Sequence, residues 1–159
     1  MPQDPDYRVV DWSSDYGDAF GRLNREWLDK YFRVEPIDEK VLSNPQGSIL
    51  DAGGIILYVL DDGEAVGTVA LKHQGDGVFE LTKMAVTEGY QGRGLGRLLM
   101  CAAVDRFEAI SGKFLYLESH SSLGPALALY ESAGFRHEPP PAPSDYERAD
   151  VYMVYRPDS

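Results

Sequence analysis

Residues 89–96, Gly-Tyr-Gln-Gly-Arg-Gly-Leu-Gly, place four glycines within eight positions. The run before them, residues 79–86, is rich in apolar and β-favouring side chains and reads as a strand. The run after them carries Leu95, Leu98, Leu99, Ala102, Ala103, Phe107 and Ile110 at helical spacing, which predicts a helix with those residues on one face. Glycine has no Cβ, so the turn can be tight and a ligand can approach its backbone closely. The first N–H groups of a helix have no intrahelical acceptor, and the helix dipole favours negative charge there. Strand, glycine turn and helix together describe an anion site, with phosphate as the natural ligand. A dinucleotide fingerprint, G-x-G-x-x-G, fits poorly because Gly92 comes six positions after Val86 and Gly96 falls one place early. A Walker loop is absent, since no Gly-Lys-Ser/Thr occurs.

Gln91-x-x-Gly94-x-Gly96 after Met84-Ala85-Val86 resembles motif A of the GNAT superfamily of N-acetyltransferases, which holds the pyrophosphate of acetyl-CoA. A second stretch, residues 128–135, Ala-Leu-Tyr-Glu-Ser-Ala-Gly-Phe, is similar to the family's A-x-x-L-Y-x-x-x-G-F ending. The resemblance covers nearly the whole chain. It implies an acetyl-CoA-dependent N-acetyltransferase in which an amine attacks the thioester directly within a ternary complex. Gln91, Gly92, Arg93, Gly94, Leu95, Gly96 and Arg97 would then hold the pyrophosphate, mainly through backbone N–H groups, and Met84, Ala85 and Val86 would pair with the pantetheine arm. Tyr130 would lie near the sulfur, where a phenol of reference pKa ~10 can protonate a departing thiolate of pKa ~8.5. One departure stands out: many members have Asn near the start of the Tyr130 helix, where this chain has Leu123, with Ser121 and Ser122 close by.

The amine needs its lone pair, so a base is required. Glu80 sits six residues before Val86, where some members carry a glutamate base. Strand alternation puts Glu80, Thr82, Met84 and Val86 on one face and Lys83 on the other, structural or facing solvent. His120 is the alternative base, with a reference pKa of ~6.5. Trp27, Tyr31 and Phe32 could wall an acceptor pocket, with Glu26, Glu35 or Glu118 pairing a cationic group. Cys101 reads as packing. The histidines at 73, 120 and 137 lack metal-ligand spacing, and no G-x-S-x-G elbow accompanies Ser119-His120-Ser121-Ser122.

The elements that must position these groups follow from patterning. Residues 7–12 predict a first strand. Phe20, Leu23, Trp27, Leu28, Tyr31 and Phe32 define a helix, with Ser13 or Ser14 as a cap and Pro36 as its stop. Residues 37–42 give a short helix and Asn44-Pro45-Gln46-Gly47 a turn. Residues 55–60 and 65–72 form a hairpin through Asp61-Asp62-Gly63-Glu64, and Gly75-Asp76-Gly77 leads into the central strand. After the long helix come a strand at 113–118, a helix from Pro125 to about Ala133 stopped by Gly134, a short strand at 135–137, a proline-rich connection and a final strand at 151–156. The order is β-α-α-β-β-β-α-β-α-β-β: an α/β (α+β) fold with a mixed, mostly antiparallel sheet flanked by helices. It makes one domain over 7–159 after an N-terminal tail, 1–6.

With 159 residues, 43% hydrophobic and 26% charged, the composition is that of an ordinary globular domain. No run of ~18 apolar residues suggests a membrane span. The polar start lacks a secretory pattern, and the single cysteine rules out an intramolecular disulfide, so the expected location is the cytoplasm. A net charge of −11 opposes nonspecific nucleic-acid binding and suits either a cationic amine substrate or solubility alone. The acceptor implied is a small primary amine, an amino acid or polyamine-like compound, with a protein N-terminus or lysine as the alternative. A non-catalytic acyl-CoA sensor is a different class. Family members are often dimers, but no interface is readable.

Overall fold

A computed structural model describes residues 7–158; the predicted tail 1–6 lies outside the described residues. Seven strands among them form one sheet in the order β1-β2-β3-β4-β5-β7-β6. In chain order these are β1 (Tyr7–Asp11), β2 (Ile55–Asp61), β3 (Glu64–Gly75), β4 (Val78–Val86), β5 (Phe114–Ser119), β6 (Phe135–His137) and β7 (Val151–Tyr155). The helices are α1 (Ala19–Tyr31), α2 (Pro36–Leu42), α3 (Leu95–Ala109) and α4 (Gly124–Ser132). All strand pairs are antiparallel except β4 with β5. The mixed, mostly antiparallel sheet flanked by helices is the architecture that the sequence predicts.

Local chemistry explains most boundaries. Asp62 and Gly63 both have positive φ, 51° and 81°, the backbone that a two-residue hairpin requires, and Asp61 pairs with Glu64. Ser13 caps a short 3-10 turn, Ser14–Tyr16, rather than α1, which begins at Ala19. Pro36 does not stop α1. It opens α2, where a missing N–H costs nothing, inside a capping box made by Glu35 and Asp38. The predicted turn at 44–47 runs into a π-helical turn, Gln46–Leu50.

Two apolar layers sandwich the sheet. On one side α3 packs Leu95, Leu99, Met100, Ala103, Val104 and Phe107 against Leu57, Val59, Val69, Leu71 and Leu81. Leu98 and Ile110, expected on that face, are 37% and 43% exposed. The buried stripe advances by four and takes in residues 100 and 104, which leaves Leu98 on the flank. On the other side α1 and α2 bring Phe20, Leu23, Leu28, Val41 and Leu42 against Ile56, Tyr58, Ala70 and Ala85.

Two irregularities in β4 shape everything that follows. The first is a bulge: the β3–β4 register jumps from Thr68↔Ala85 to Ala70↔Thr82, and Lys83 has φ +57°. One extra residue reverses the alternation beyond it. Glu80, Thr82 and Lys83 therefore face the α1–α2 side, and Met84 and Val86 pack toward the α3 layer. This corrects both sequence expectations for the strand, the shared face of Glu80, Thr82, Met84 and Val86 and the opposite side assigned to Lys83. The second is an early parting. β4 and β5 pair only from Val78↔Phe114 to Glu80↔Tyr116, after which both strands continue unpaired to each other. A cleft opens between them.

Candidate active site

The glycine turn forms one lip of that cleft. Gly92 and Gly94 both have φ +81°, and a Cβ at either would meet nothing within 4 Å, so backbone conformation rather than space selects glycine there. Gly94 is the N-cap of α3 with no side-chain cap, and the first α-helical bond runs from Leu98 N to Gly94 O at 3.1 Å. The N–H groups of residues 94–97 thus have no intrahelical acceptor. The groove is lined by residues 84–86, by Gln91, Gly92, Gly94, Leu95 and Gly96, and across from them by Leu123, Ala126, Leu129 and Tyr130 of the α4 segment. Arg93 and Arg97 turn away: Arg93 lies over the Tyr90 ring and donates to Tyr7 Oη at 3.2 Å, and Arg97 donates to Ser132 Oγ at 3.3 Å. Backbone amides rather than guanidinium groups are what this groove offers a diphosphate. Gln91 Nε2 donates to Val86 O at 3.1 Å, tying the turn to the strand.

Trp27, Met84, Leu123 and Tyr130 line the groove and also a deeper pocket, so the two adjoin. The deeper pocket holds Glu80, Thr82, Lys83, Glu118, Ser119, His120, Tyr146 and Arg148. Burial pushes the Tyr130 phenol up to about 12, against a smaller opposing effect of Ser119, so it keeps its proton at neutral pH. Glu80 is 5% exposed. Burial first, then the Glu118 carboxylate, push its carboxyl up to about 7, while Lys72, Lys83 and Gln74 pull the other way. Glu118 is itself raised, chiefly by burial. A phenol that keeps its proton and a carboxyl raised to about 7 thus share one pocket at the mouth of the glycine-lined groove.

The other predicted site residues separate. His120 lines the pocket, but Ser122 N donates to its Nδ1 at 3.0 Å and its Nε2 lies 3.8 Å from Asp150 Oδ2. Its Nδ1 is thus turned toward Ser122, whose Oγ is also 2.7 Å away, and its Nε2 toward the Asp150 carboxylate. Trp27 lines both spaces and Phe32 the pocket, whereas Tyr31 is 42% exposed and lines only the groove. Glu26 accepts from Thr87 Oγ1 and Glu88 N, outside the pocket. Of the three carboxylates considered for a cationic group, Glu118 alone lines it.

The model of the acetyltransferase (GNAT) family matches residues 11–135. The chain belongs to this family. It is 30% identical over 128 residues to an uncharacterised N-acetyltransferase of Schizosaccharomyces pombe, a match covering 77% of this chain and 78% of that protein. A shorter match, 44% over 55 residues, covers 35% of the chain and 37% of the ribosomal protein bS18-alanine N-acetyltransferase of Salmonella typhimurium. In fold, it is similar to a PaiA N-acetyltransferase of Thermoplasma acidophilum solved with coenzyme A, at a TM-score of 0.72 and 16% identity over 94% of this chain and 98% of that one.

In one wall of the pocket of this GNAT chain lies a charged cluster that the sequence reading missed. Arg148 donates to both Asp38 oxygens, at 2.7 and 2.8 Å, and to Glu35 at 2.9 Å. Lys83 Nζ reaches Asp38 Oδ1, and both Lys83 and Arg148 sit over the Tyr146 ring, at 4.7 and 4.8 Å. Burial raises Asp38, but the Arg148 and Lys83 hydrogen bonds outweigh it and bring the carboxyl to about 2. Two cations against two carboxylates make the cluster neutral, and it clamps the loop before β7 to α2 and to the β4 bulge. Pro36, suited to the first turn of a helix, was the local signal for where α2 begins. The long-range partners left no local signal.

Proposed function

We propose that this chain is an acetyl-CoA-dependent N-acetyltransferase acting on a small primary amine by direct attack in a ternary complex. The observation that carries the reading is the meeting of groove and pocket at Tyr130, with Glu80 lining the same pocket. In this reading the backbone N–H groups of the glycine turn and α3 bind the diphosphate of the donor, and residues 84–86 present a strand edge to its pantetheine amides. Met84, Leu123 and Tyr130 surround the thioester. Glu80 takes a proton from the arriving ammonium and passes it to solvent. The freed lone pair attacks the carbonyl carbon, forming C–N; nitrogen gives its second proton to the again ionised Glu80, and the C–S bond breaks. Tyr130 donates its proton to the departing sulfur and recovers one from solvent. The products are an N-acetyl amine and free coenzyme A thiol.

The test is thiol release from acetyl-CoA across a panel of amines, with an alanine-ended peptide included because of the bS18-alanine relative. Amine-dependent release is expected, falling roughly 100-fold in Glu80→Gln and less in Tyr130→Phe, because a thiolate leaves without much help. Tight acetyl-CoA binding with no turnover would make the chain a sensor. Faster turnover of the peptide than of any amine would move the acceptor to proteins. No acetyl-CoA binding would defeat the reading altogether.

A further inference from the structure

The reaction pocket has a second side. Glu80, Glu118 and Tyr146 line it and also line an adjoining cavity, away from the glycine turn and lined on another side by Pro140, Pro141, Ala142 and Pro143. The side chains of Tyr116 and Tyr152 form part of its wall, with ring centroids 5.5 Å apart. Its charged lining is Glu80, Glu118 and Asp145 against Lys72. Lys72 pairs with Glu80 across β3 and β4 and compensates that carboxylate. Arg148, the other cation near Glu118, is committed to Asp38 and Glu35. Among the described residues, Glu118 and Asp145 therefore have no ion-pair partner in this cavity. Glu80, buried as it is, receives one long hydrogen bond, from Gln74 to Oε1 at 3.3 Å, and no hydrogen bond to its Oε2 occurs among the described residues. Burial first, then the Glu80 and Glu118 carboxylates, hold the Tyr116 phenol above its usual range.

We propose that this cavity binds a second positive charge on the acceptor, making the preferred substrate an α,ω-diamine or longer polyamine. The proposal rests on the transferase reading and deepens it. One amine sits at Glu80. The distal ammonium lies against the Tyr116 and Tyr152 rings between Glu118 and Asp145, where π-faces and carboxylates both favour a cation. Glu80 faces Tyr116, and Glu118 is two residues further along β5, about 7 Å away by strand rise. That is the span of a short alkyl linker, which the proline-lined side would cover with apolar surface.

Calorimetric titration of the coenzyme A-saturated protein with diaminobutane and with butylamine tests this, and acetylation rates for the same pair run alongside. The wild type is expected to bind the diamine about tenfold tighter. Asp145→Asn, an exposed position, should narrow that ratio to within about threefold by loss on the diamine side, with coenzyme A affinity showing that the variant is folded. Equal affinity for the two amines, no binding of either, or equal losses on both in Asp145→Asn would overturn the subsite. Selective diamine binding without acetylation would keep the subsite and defeat the transferase reading. Acetylation of both amines at equal efficiency would do the reverse.

Discussion

Glu80 and Asp38 lie on the same side of the sheet and are both buried, yet their environments drive them in opposite directions. Asp38 has two cations in contact, so it contributes stability above its unfolded pKa of 3.8, lost only as pH falls toward 2. Glu80 has a second carboxylate for a neighbour. Its folded pKa, about 7, lies above the ordinary 4.5, so the folded state holds its proton more tightly than the unfolded one. Stability from that preference is complete below pH 4.5 and is lost as pH rises through 7. The difference is on the order of 3 kcal/mol. Glu80→Gln, a neutral mimic, should therefore melt above the wild type at pH 8 and close to it at pH 5. In the wild type, kcat/KM should rise with pH and level off above about 7, a limb that Glu80→Gln lacks. A variant that melts below the wild type at pH 8 would show that Glu80 is paired rather than strained. The sequence identified Glu80 as a candidate by position alone. Its depth and its carboxylate neighbour depend on β5 and on the loop before β7, which no local pattern encodes. Lys83 was misread for a related reason. Alternation assumes two residues per repeat, and its partner Asp38 is 45 positions away.

At the scale of elements, the turn from β4 into α3 was the most legible part of the chain. Its glycines announce a positive-φ backbone, and Gly92 and Gly94 both adopt one. Because a Cβ at Gly94 meets no neighbour, Gly94→Ala should cost only about 1 kcal/mol of stability, from backbone strain. It should weaken acetyl-CoA binding more visibly, since the new methyl and any relaxation of φ disturb the amides at the start of α3. Differential scanning calorimetry and a donor titration separate the two effects; unchanged donor affinity would remove the turn from the binding site. The hairpin at Asp62-Gly63 was equally readable, because two left-handed residues in a row permit few other structures. The bulge was not. It inserts an ordinary Lys at φ +57° where neither glycine nor asparagine marks it, and it is held by Asp38 and Tyr146 from elsewhere in the chain. The exposed Leu98 and Ile110 show the same limit, since helical periodicity locates an apolar face only to within a flank.

For the whole molecule, element order and the antiparallel run β2-β3-β4 came through, and the rest of the spatial order did not. Nothing local says that β5 pairs with β4, or that the pairing ends after three register positions. The proposed chemistry depends on that ending. It lets the groove meet the pocket and puts Glu80 and Tyr116 at the apex where the strands part. The prediction for this scale concerns time. Backbone amides of residues 84–86 and 117–119 that face the gap have no ladder partner across it, so in the free protein they should exchange with deuterium far faster than those of β2 at residues 57–59. A donor whose own amides pair with one edge would slow exchange on β4 directly, and on β5 only if the two half-sheets stop moving apart. Protection confined to β4 would describe a fixed notch that receives its ligand passively. Protection appearing on both strands would mean that the sheet is incomplete until the donor arrives, and that the substrate supplies the missing strand.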